Sequence, residues 1–488
     1  MKNTTKLLLL LLSLLLCFGM LTACNNNGDE KETLPNGEET TQADDTDGKY
    51  DENGYLKDSL PETYDFKSEY TVFSWDGQDE WEWCEELSGE STSLENVLYE
   101  RIANVEERFG VTFSFVWETG IWESRNSFIA TLSNSVLGGD GEFDLVSQYT
   151  PCSGIGAVNG LYKDLNTVNY LDLEKPWWPT SITETATVGE KLYFVTGDIT
   201  PTLIRNVNCA VVNLDLFESY NLSSAIGGRS IYQLVDDYEW TLENMLKLAL
   251  DKVSVETGDY GITLRNTDCG DGFFYGGGFI TVKNVNGSMT LSDDLSSQLL
   301  IDYFDKVKDI MTGRYADVAI TGIEPFYQQK SIFYIGGVSD STQFAQQGIN
   351  FTLLPMPLLN SEDRQEYSVI SSFYVSMFSI PVDVKNTDMS SLILEALGSE
   401  AYRTVSDEVY YNLFQKRYNG ASEDSARMFD LVSESVVFDT SRFFCDELGL
   451  FQQFRNGVSN TEGNWSTIYA SNKDTWIQRL NNLAGKVG

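Results

Sequence analysis

Strand-like and helix-like segments alternate at the start of the folded part of the chain, and this order limits the folds open to it. The strand-like segments are short and rich in β-branched and aromatic residues, whereas the helix-like segments carry apolar residues at helical spacing. The predicted segments are a strand at 70–75, a helix at 94–109, a strand at 111–117, a helix at 128–137 and a strand at 143–146. A β-α-β-α-β order predicts a parallel sheet with right-handed connections.

A second set of strands and helices begins near residue 191, and from Ser390 onward the pattern is mostly helical. The pair Asn286-Gly287 predicts a two-residue hairpin turn. The predicted strands are 209–213, 260–264, 280–285, 288–291, 331–335, 350–354 and 374–380, and the predicted helices are 214–220, 241–250 and 294–311.

Helix ends carry signals of their own. Ser91 or Ser93 could cap the first helix, and Gly110 stands where a glycine commonly ends one. Thr241 is a plausible N-cap for the helix that runs to Leu250.

Charge and histidine content exclude several classes of function. The 488-residue chain has 73 acidic and 33 basic residues, a formal net charge of −40, so we expect neither nucleic acid nor an anionic lipid surface as partner. The absence of histidine removes Ser-His and Cys-His nucleophile pairs and histidine-ligated zinc.

The loop that faintly resembles a calcium site has Lys49 where the first carboxylate belongs. We therefore expect no metal and no cofactor.

Seven cysteines occur, and no two are spaced as a C-x-x-C pair. The sequence therefore predicts neither a disulfide framework nor a structural zinc site. The five cysteines of the folded part are expected to be buried thiols, with one long-range disulfide as the alternative. They are Cys84, Cys152, Cys209, Cys269 and Cys445.

The N-terminal residues have the organisation of a lipoprotein leader. Two lysines precede an apolar stretch at 7–21, which is short for a membrane span but suits a secretory signal. Leu21-Thr22-Ala23-Cys24 matches the bacterial lipobox. The match implies a signal peptide at 1–23, lipid on Cys24 and an extracytoplasmic position at the outer face of the cytoplasmic membrane, with 24–65 as a disordered acidic tether. The alternative is an ordinary signal peptide with an incidental cysteine.

Several stretches, taken in order, resemble one known family. They are 51–61, 143–146, 161–165, 176–178, 189–194, 197–198, 211–217, 332–336, 353–357 and 403–438. The chain resembles the bacterial extracellular solute-binding proteins of the sugar-type family, family 1, which serve ABC importers, and most closely their lipoprotein versions from clostridia-like Gram-positive bacteria. In the family a glycine usually precedes the lysine of the crossover, and here Glu190 intervenes, which alters a turn.

The resemblance implies an α/β protein with a two-lobed periplasmic-binding-protein-like fold (type II). Each lobe is then a mostly parallel sheet flanked by helices, and hinge strands join the two. The first lobe would comprise 66–185 and 350–395, and the second 186–349 and 396–488. Family members are non-catalytic: they capture a solute, here expected to be a carbohydrate such as an oligosaccharide, and deliver it to permease subunits. A monomer is expected.

Ligands of open α/β sheets bind outside the carboxyl ends of the strands, so the candidate binding residues follow predicted strand ends. An aromatic ring can stack on a sugar, and a carboxylate or amide can accept its hydroxyl protons. Trp75, Asp76 and Tyr149 are the leading candidates, each weighed against an ordinary place in the core. Trp177 and Trp178 could equally brace the lobes. The other candidates are Glu118, Gln148, Asp198, Phe274 and Tyr275 in the glycine-rich loop 271–278, and Tyr374 in the returning segment.

Two other functions also fit these residues. A secreted glycoside hydrolase would need only paired carboxylates and aromatic subsites, so the composition allows it. Recovery of an intact sugar after incubation would separate a receptor from such an enzyme. A surface sensor or adhesion protein could use the same fold without transport.

Overall fold

The computed structural model describes residues 49–251, 259–312, 319–360, 362, 366–412 and 422–488. The signal peptide, Cys24 and most of the tether predicted from the sequence lie outside these residues. The chain divides into residues 1–56 and residues 57–488. In the first unit Tyr50 and Leu56 form an isolated antiparallel bridge around a turn. Among the described residues, none of the helices has the length and apolarity needed to cross a membrane.

The second unit contains the regular structure. In the described residues the strands are β1 (Ser68–Trp75), β2 (Val111–Glu118), β3 (Leu145–Tyr149), β4 (Asn208–Asn213), β5 (Tyr260–Leu264), β6 (Val282–Val285), β7 (Ser288–Leu291), β8 (Ala319–Thr321), β9 (Ser331–Gly337), β10 (Phe351–Leu354), β11 (Val369–Ile370), β12 (Ser376–Ser379) and β13 (Val436–Val437). Short 3-10 helices lie at Asp76–Gln78, Leu165–Thr167, Leu222–Ile226, Asp293–Ser296 and Val338–Asp340.

The α-helices of the described residues surround these strands. They are α1 (Asp79–Glu82), α2 (Ser93–Phe109), α3 (Arg125–Gly138), α4 (Thr150–Val158), α5 (Thr180–Ala186), α6 (Thr202–Arg205), α7 (Leu214–Ser219), α8 (Ile231–Asp236), α9 (Leu242–Asp251), α10 (Cys269–Gly276), α11 (Gln298–Met311), α12 (Glu324–Tyr327), α13 (Ser341–Gln346), α14 (Thr387–Arg403), α15 (Val405–Asp407), α16 (Glu423–Glu434), α17 (Thr440–Phe443), α18 (Cys445–Leu448), α19 (Gln452–Val458) and α20 (Trp465–Val487).

The first sheet has the strand order β12-β3-β1-β2. β1 pairs in parallel with β2 and β3, whereas β12 runs antiparallel to β3. The three parallel strands therefore end at one edge, at Trp75, Glu118 and Tyr149. This arrangement confirms the parallel sheet predicted from the strand and helix alternation.

The second sheet has the order β10-β4-β9-β5-β8 and forms the centre of a second lobe. β5 is parallel to β8 and β9, while β4 is antiparallel to β9 and β10. Four strands therefore end at the edge where β4 begins.

Short-range hydrogen bonds explain where the first long helix begins and ends. The Thr92 hydroxyl accepts from the Glu95 amide at 3.2 Å, and the Glu95 carboxylate accepts from the Thr92 amide at 2.6 Å. The predicted caps, Ser91 and Ser93, were wrong by one residue, because only a hydroxyl three positions before Glu95 completes this capping box. Gly110 ends the helix in the left-handed region at φ 62°, as predicted.

Two further local predictions are confirmed. The Thr241 hydroxyl accepts from the Asn244 amide at 3.2 Å and so caps the start of α9. Asn286 and Gly287 have φ values of 51° and 76°, which is the geometry of a type I′ turn between β6 and β7.

Two antiparallel segments, 195–207 and 371–378, connect the lobes, and we call them the hinge segments. Val195 forms an isolated bridge with Phe378, and Val207 forms one with Ser371. Between these bridges the Ser376 amide donates to the Thr202 hydroxyl at 3.1 Å. The chain leaves the first sheet along one segment and returns along the other, so these two segments stand where the resemblance implied hinge strands, although the outgoing one contains α6 and forms isolated bridges.

The lobe boundaries differ from the predicted ones in two places. β10 falls in the range 350–395 assigned to the first lobe, yet it pairs with β4 of the second sheet. α14 continues through the predicted boundary at residue 396 and packs on α2 of the first lobe. An apolar strand has the same local pattern in either sheet, so its pairing partner could not be found from the sequence.

The cysteines confirm the prediction of buried thiols. Cys84, Cys152, Cys209, Cys269 and Cys445 are all free and buried, so the alternative of a long-range disulfide among them is excluded. Burial raises the pKa of the Cys269 thiol to about 12, which keeps it protonated and unreactive at neutral pH.

Candidate functional site

An aromatic cluster lies where the first sheet meets the returning hinge segment. The ring centroids of Trp75 and Tyr149 are 5.3 Å apart, and those of Tyr149 and Tyr374 are 5.4 Å apart. Phe373 meets Tyr149 edge to face at 6.2 Å. Three of the predicted binding residues therefore lie together, as their positions at strand ends and in the returning segment implied.

The members of this cluster differ in exposure. Trp75 and Tyr149 are 1% and 2% exposed, whereas Tyr374 is 38% exposed. The buried Trp75 indole donates to the Ser376 hydroxyl at 2.9 Å. Trp75 and Tyr149 thus form a rigid base, and Tyr374 presents the ring that a ligand can reach.

Two carboxylates of the first lobe lie at the same edge. The Thr119 hydroxyl donates to Asp76 at 2.7 Å, and the Ser127 hydroxyl donates to Glu118 at 3.3 Å. Asp76 is exposed and Glu118 is half-buried, so both keep free lone pairs that can accept hydroxyl protons.

The second lobe contributes charged side chains at the carboxyl edge of its own sheet. Arg265 directly follows β5, and Asp340 lies just beyond β9. The guanidinium of Arg265 and the carboxylate of Asp340 are 3.6 Å apart. Asp340 is held in place because it accepts from the Tyr334 hydroxyl at 2.5 Å and from the Gly337 amide at 3.0 Å.

Arg205 joins the two edges. Its Nη1 donates to Gln78 of the first lobe at 3.0 Å, and its guanidinium carbon lies 4.3 Å from the centroid of the Trp81 ring. Arg205 itself belongs to the outgoing hinge segment, just before β4. The edges of the two sheets therefore meet at this residue, and the space between them is the candidate binding cleft.

A second pair of aromatic rings adjoins the cluster through Phe373. Trp122 stacks on Phe373 at 6.1 Å with the rings 10° from parallel, and the Arg125 guanidinium lies 4.1 Å from the Trp122 ring. The guanidinium carbon of Arg442 lies 4.3 Å from the centroid of the Phe373 ring. The same guanidinium forms an ion pair with the carboxylate of Asp271 at 2.8 Å.

A buried polar network supports the hinge beneath this site. The Thr200 hydroxyl donates to Glu82 at 2.7 Å, and Thr200 and Thr202 share a hydroxyl contact of 2.7 Å. Arg101 donates to the carbonyl oxygen of Ile199 at 2.5 Å. Burial raises the pKa of Glu82 to about 7, although Arg101 and Thr200 act to lower it.

Three other predicted residues lie in the packed interior. Gln148 is 0% exposed and bonds to Ser379 and Tyr162. Phe274 and Tyr275 are 2% exposed, and the predicted glycine-rich loop that carries them is helix α10. That loop prediction was wrong because close packing outweighs the low helix propensity of glycine. A Cβ at Gly276 would lie 2.3 Å from the Cβ of Met356.

Trp177, Trp178 and Asp198 lie away from the aromatic cluster. Trp177 and Trp178 are 0% and 1% exposed, and the Trp178 indole donates to Glu395 of α14 at 2.9 Å. Both side chains are packed in the interior of the first lobe, so neither is exposed to a ligand. Asp198 lies near Ser406, where burial raises its pKa to about 7.

The sequence analysis missed Gln78, Trp81, Arg205, Arg265 and Asp340. Arg265 and Asp340 follow predicted strands closely, so the strand-end rule could have found them. Gln78 and Trp81 lie a few residues beyond Trp75, in the short helices after β1. Arg205 carries no such signal. Among the described residues, no group of three or more Cys, Asp and Glu side chains is arranged to hold a metal ion.

Neither a protein-family model nor a curated protein matches the chain. Solved structures do match. The galacto-N-biose/lacto-N-biose I-binding protein of an ABC transporter from Bifidobacterium longum, in complex with lacto-N-biose, has a TM-score of 0.55 at 13% identity, covering 86% of this chain and 99% of its own. A receptor from Streptomyces glaucescens, solved unliganded and with acarbose, has a TM-score of 0.52 at 16% identity, covering 85% and 99%.

A maltose-binding protein from Listeria monocytogenes in complex with maltose gives a TM-score of 0.52 at 13% identity, covering 86% of this chain and 97% of its own. At these identities the likeness concerns the fold. The chain has the two-lobed, periplasmic-binding-protein-like α/β fold that the resemblance implied.

Proposed function

We propose that this chain is a lipid-anchored, extracytoplasmic solute-binding protein. In this proposal it captures a carbohydrate, such as an oligosaccharide, between its two lobes and delivers it unchanged to the permease subunits of an ABC importer. The observation that carries the proposal is the meeting of both carboxyl edges at Arg205, whose neighbour Asn206 donates to the main-chain carbonyl of the half-exposed Tyr374. The sugars bound by the structurally similar proteins support the same solute class.

The chemistry of the cleft suits a sugar. Tyr374 offers an aromatic face for the C–H surface of a pyranose ring, and its buried base of Trp75 and Tyr149 fixes that face in advance. Asp76 and Glu118 accept hydroxyl protons, while Gln78 and Arg205 donate. A few polar groups around an aromatic platform give orientation and specificity.

Capture would depend on lobe closure about the hinge segments. A ligand that contacts Tyr374 and Asp76 on one side and Arg265 on the other binds the closed state better than the open one, so it shifts the population toward closure. The closed lobes would then present the solute to the permease.

A glycoside hydrolase is the competing function. Its general acid would need a raised pKa and contact with the sugar. Among the described carboxyl groups, burial raises the pKa of Glu82, Asp198 and Glu395 to about 7 and that of Asp430, in α16, to about 6. It also raises the pKa of Asp144, which lies at the opposite end of β3 from Tyr149, and of Asp271, which is 4% exposed and ion-paired with Arg442. Glu82 and Glu395 are each 1% exposed, and Asp198 lies near Ser406 and Tyr410, apart from the aromatic cluster. The geometry therefore favours a receptor.

Thermal unfolding against a panel of mono- and oligosaccharides tests the proposal, with each sugar analysed for integrity afterwards. The protein would carry Cys24→Ser so that lipid does not complicate the measurement. At 100 to 1,000 times its dissociation constant, a ligand adds roughly 3 to 4 kcal/mol to the free energy of unfolding. A shift with intact sugar supports the receptor, a shift with cleaved sugar makes the chain an enzyme, and no shift with any sugar contradicts the carbohydrate assignment.

The lipid anchor needs its own experiment, since Cys24 lies outside the described residues. In cells that process bacterial lipoproteins, the unaltered chain should incorporate labelled fatty acid and sediment with membranes. The Cys24→Ser variant should do neither. Equal membrane association of both chains would contradict the anchor while leaving the carbohydrate proposal intact.

A further inference from the structure

Two arginines, one at the end of the outgoing hinge segment and one in the second lobe, lie at the candidate cleft. Arg205 precedes β4 and Arg265 follows β5, so both stand at the same edge of the second sheet. Burial, and after it the charge of Arg265, lower the pKa of Arg205. Asp340 and Glu80 offset this lowering in part.

Arg205 lacks the ion pair that arginines elsewhere in the chain possess. Arg108, Arg442 and Arg455 each have a carboxylate oxygen within 2.8 Å. Arg205 has no carboxylate oxygen within 4.0 Å in the described part of the chain. In a protein with 73 acidic and 33 basic residues, an arginine at a cleft without such a partner is unexpected.

The hydrogen-bond donors at this pair also exceed the acceptors. Arg205 gives one N–H to the neutral amide of Gln78, and its buried Nε has no acceptor. Arg265 has Asp340 at 3.6 Å, but that carboxylate already accepts from Tyr334 and Gly337. The side chain of Arg265 is 47% exposed, so its donors are open to the cleft.

Resting on the carbohydrate-binding function proposed above, we infer that the ligand is an acidic carbohydrate whose carboxylate is bound by Arg205 and Arg265. A guanidinium presents a planar fork of N–H groups that matches a carboxylate with two parallel hydrogen bonds. The Trp81 ring lies against Arg205. The side chain of Asn206, next to Arg205, donates to the main-chain carbonyl of Tyr374 at 2.6 Å, which brings the returning hinge segment close. A hexuronate unit combines the ring and the carboxylate that such groups recognise.

The net charge of −40 does not oppose this assignment. Charges on the exposed surface are screened beyond about 8 Å at physiological ionic strength, whereas a carboxylate in contact with two guanidinium groups is screened much less. The acidic surface would slow the encounter, and the arginine pair would select the ligand. A neutral sugar offers only hydroxyl and ring oxygens, which form weaker hydrogen bonds with a guanidinium group than a carboxylate does, so the cleft favours the acidic ligand.

Calorimetry with matched ligands tests the inference. The probes are oligogalacturonates of two to four units, oligoglucuronates, the methyl esters of both, neutral galactose and glucose oligomers, and a sulfated galactose oligomer. The methyl ester removes the charge but keeps the ring. We expect an acid form to bind at least about 10-fold more tightly than its ester, because hydrogen bonds to charged groups are stronger than neutral ones.

The variants Arg205→Gln and Arg265→Gln should each lose most of that preference, while Arg229→Gln should keep it. Arg229 is a matched control because it pairs with Glu239 and Asp237 within the second lobe. The acid and ester comparison on the unaltered chain needs no variant, so a folding defect in Arg205→Gln cannot hide the answer.

Other outcomes would overturn the inference at different levels. Equal binding of acid, ester and neutral sugar removes the acidic class but keeps the carbohydrate receptor. Binding of the sulfated sugar alone overturns the carboxylate assignment. Failure of every sugar, acidic or neutral, overturns both this inference and the proposed function.

Discussion

The indole Nε1 of Trp75 donates a 2.9 Å hydrogen bond to the hydroxyl of Ser376, although 301 positions separate the two residues in the chain. Trp75 ends β1 of the first lobe, and Ser376 lies in the returning hinge segment. Both side chains are buried, so this bond fixes the aromatic base of the cleft to the hinge.

Removing the Ser376 hydroxyl should therefore destabilise the protein. Ser376→Ala leaves the buried Trp75 donor without an acceptor, at a cost of about 1–3 kcal/mol in the free energy of unfolding. Ser74→Ala is the matched control, since the Ser74 hydroxyl is buried in the same strand as Trp75 without a partner. Urea denaturation measures both variants, and equal stability losses would show that the bond contributes nothing particular.

The buried carboxyl group of Glu82 should make the free energy of unfolding depend on pH. Burial raises its pKa from 4.5 to about 7 in the folded chain. Between these values the folded state binds more protons than the unfolded state, so the free energy of unfolding falls as the pH rises. The contribution is complete below pH 4.5 and is lost as the pH rises through 7, and its size is on the order of 3 kcal/mol.

Glu82→Gln should remove this dependence. Urea denaturation at several values between pH 5 and 8 would follow both chains, and the unaltered chain should lose stability relative to the variant as the pH increases. Glu107→Gln, on the exposed face of α2, is the control and should run parallel to the unaltered chain. A Glu82→Gln curve that also runs parallel would show that this carboxyl does not titrate in the window.

The position of the site was largely predictable, but its depth was not. Parallel strands end together, so Trp75 and Tyr149 had to be neighbours once the strands were found. Gln148 directly precedes Tyr149 in the same strand yet is 0% exposed, because its side chain bonds to Ser379 and Tyr162. Which of two adjacent residues faces a cleft depends on what covers that face of the sheet, and this is a long-range property.

Arg205 shows a different limit. It lies in a four-residue helix within the outgoing hinge segment, where no strand end marks it. Its partners Gln78 and Trp81 are more than a hundred positions earlier in the chain, and only the meeting of the lobes brings them together. Contacts of this kind follow from the arrangement of lobes and leave no periodic pattern in the sequence.

The capping box at α2 predicts a local effect on stability. Thr92→Ala removes the acceptor for the Glu95 amide and should lower the free energy of unfolding by about 1 kcal/mol. Ser93→Ala is the control, because the Ser93 hydroxyl is buried without a hydrogen-bond partner. Urea denaturation would compare the two, and a larger loss in Ser93→Ala would contradict the assigned cap.

At Gly154, α4 of the first lobe packs tightly against α17. A Cβ at this position would lie 2.1 Å from the carbonyl oxygen of Phe443, and a backbone atom cannot yield cheaply. Gly154→Ala should therefore destabilise by about 1–3 kcal/mol. Gly485→Ala in α20 is the control: nothing lies within 4 Å of its added Cβ, so this variant should gain about 0.5–1 kcal/mol. Thermal unfolding would measure both variants. An unchanged stability of Gly154→Ala would contradict the tight contact.

Replacing Tyr374 should weaken ligand binding without unfolding the protein. Its ring is 38% exposed, while its main chain is held through hydrogen bonds with Asn206 and Ser372 that alanine would preserve. Tyr374→Ala should weaken binding of the carbohydrate identified by the panel about tenfold or more, because the stacking face is removed. Tyr64→Ala is the control, since Tyr64 is 51% exposed and its ring contacts that of Phe66 with the centroids 4.3 Å apart. Calorimetry would measure both, and equal affinities in the two variants would mean that the ligand does not rest on Tyr374 and that the cleft binds it through polar groups alone.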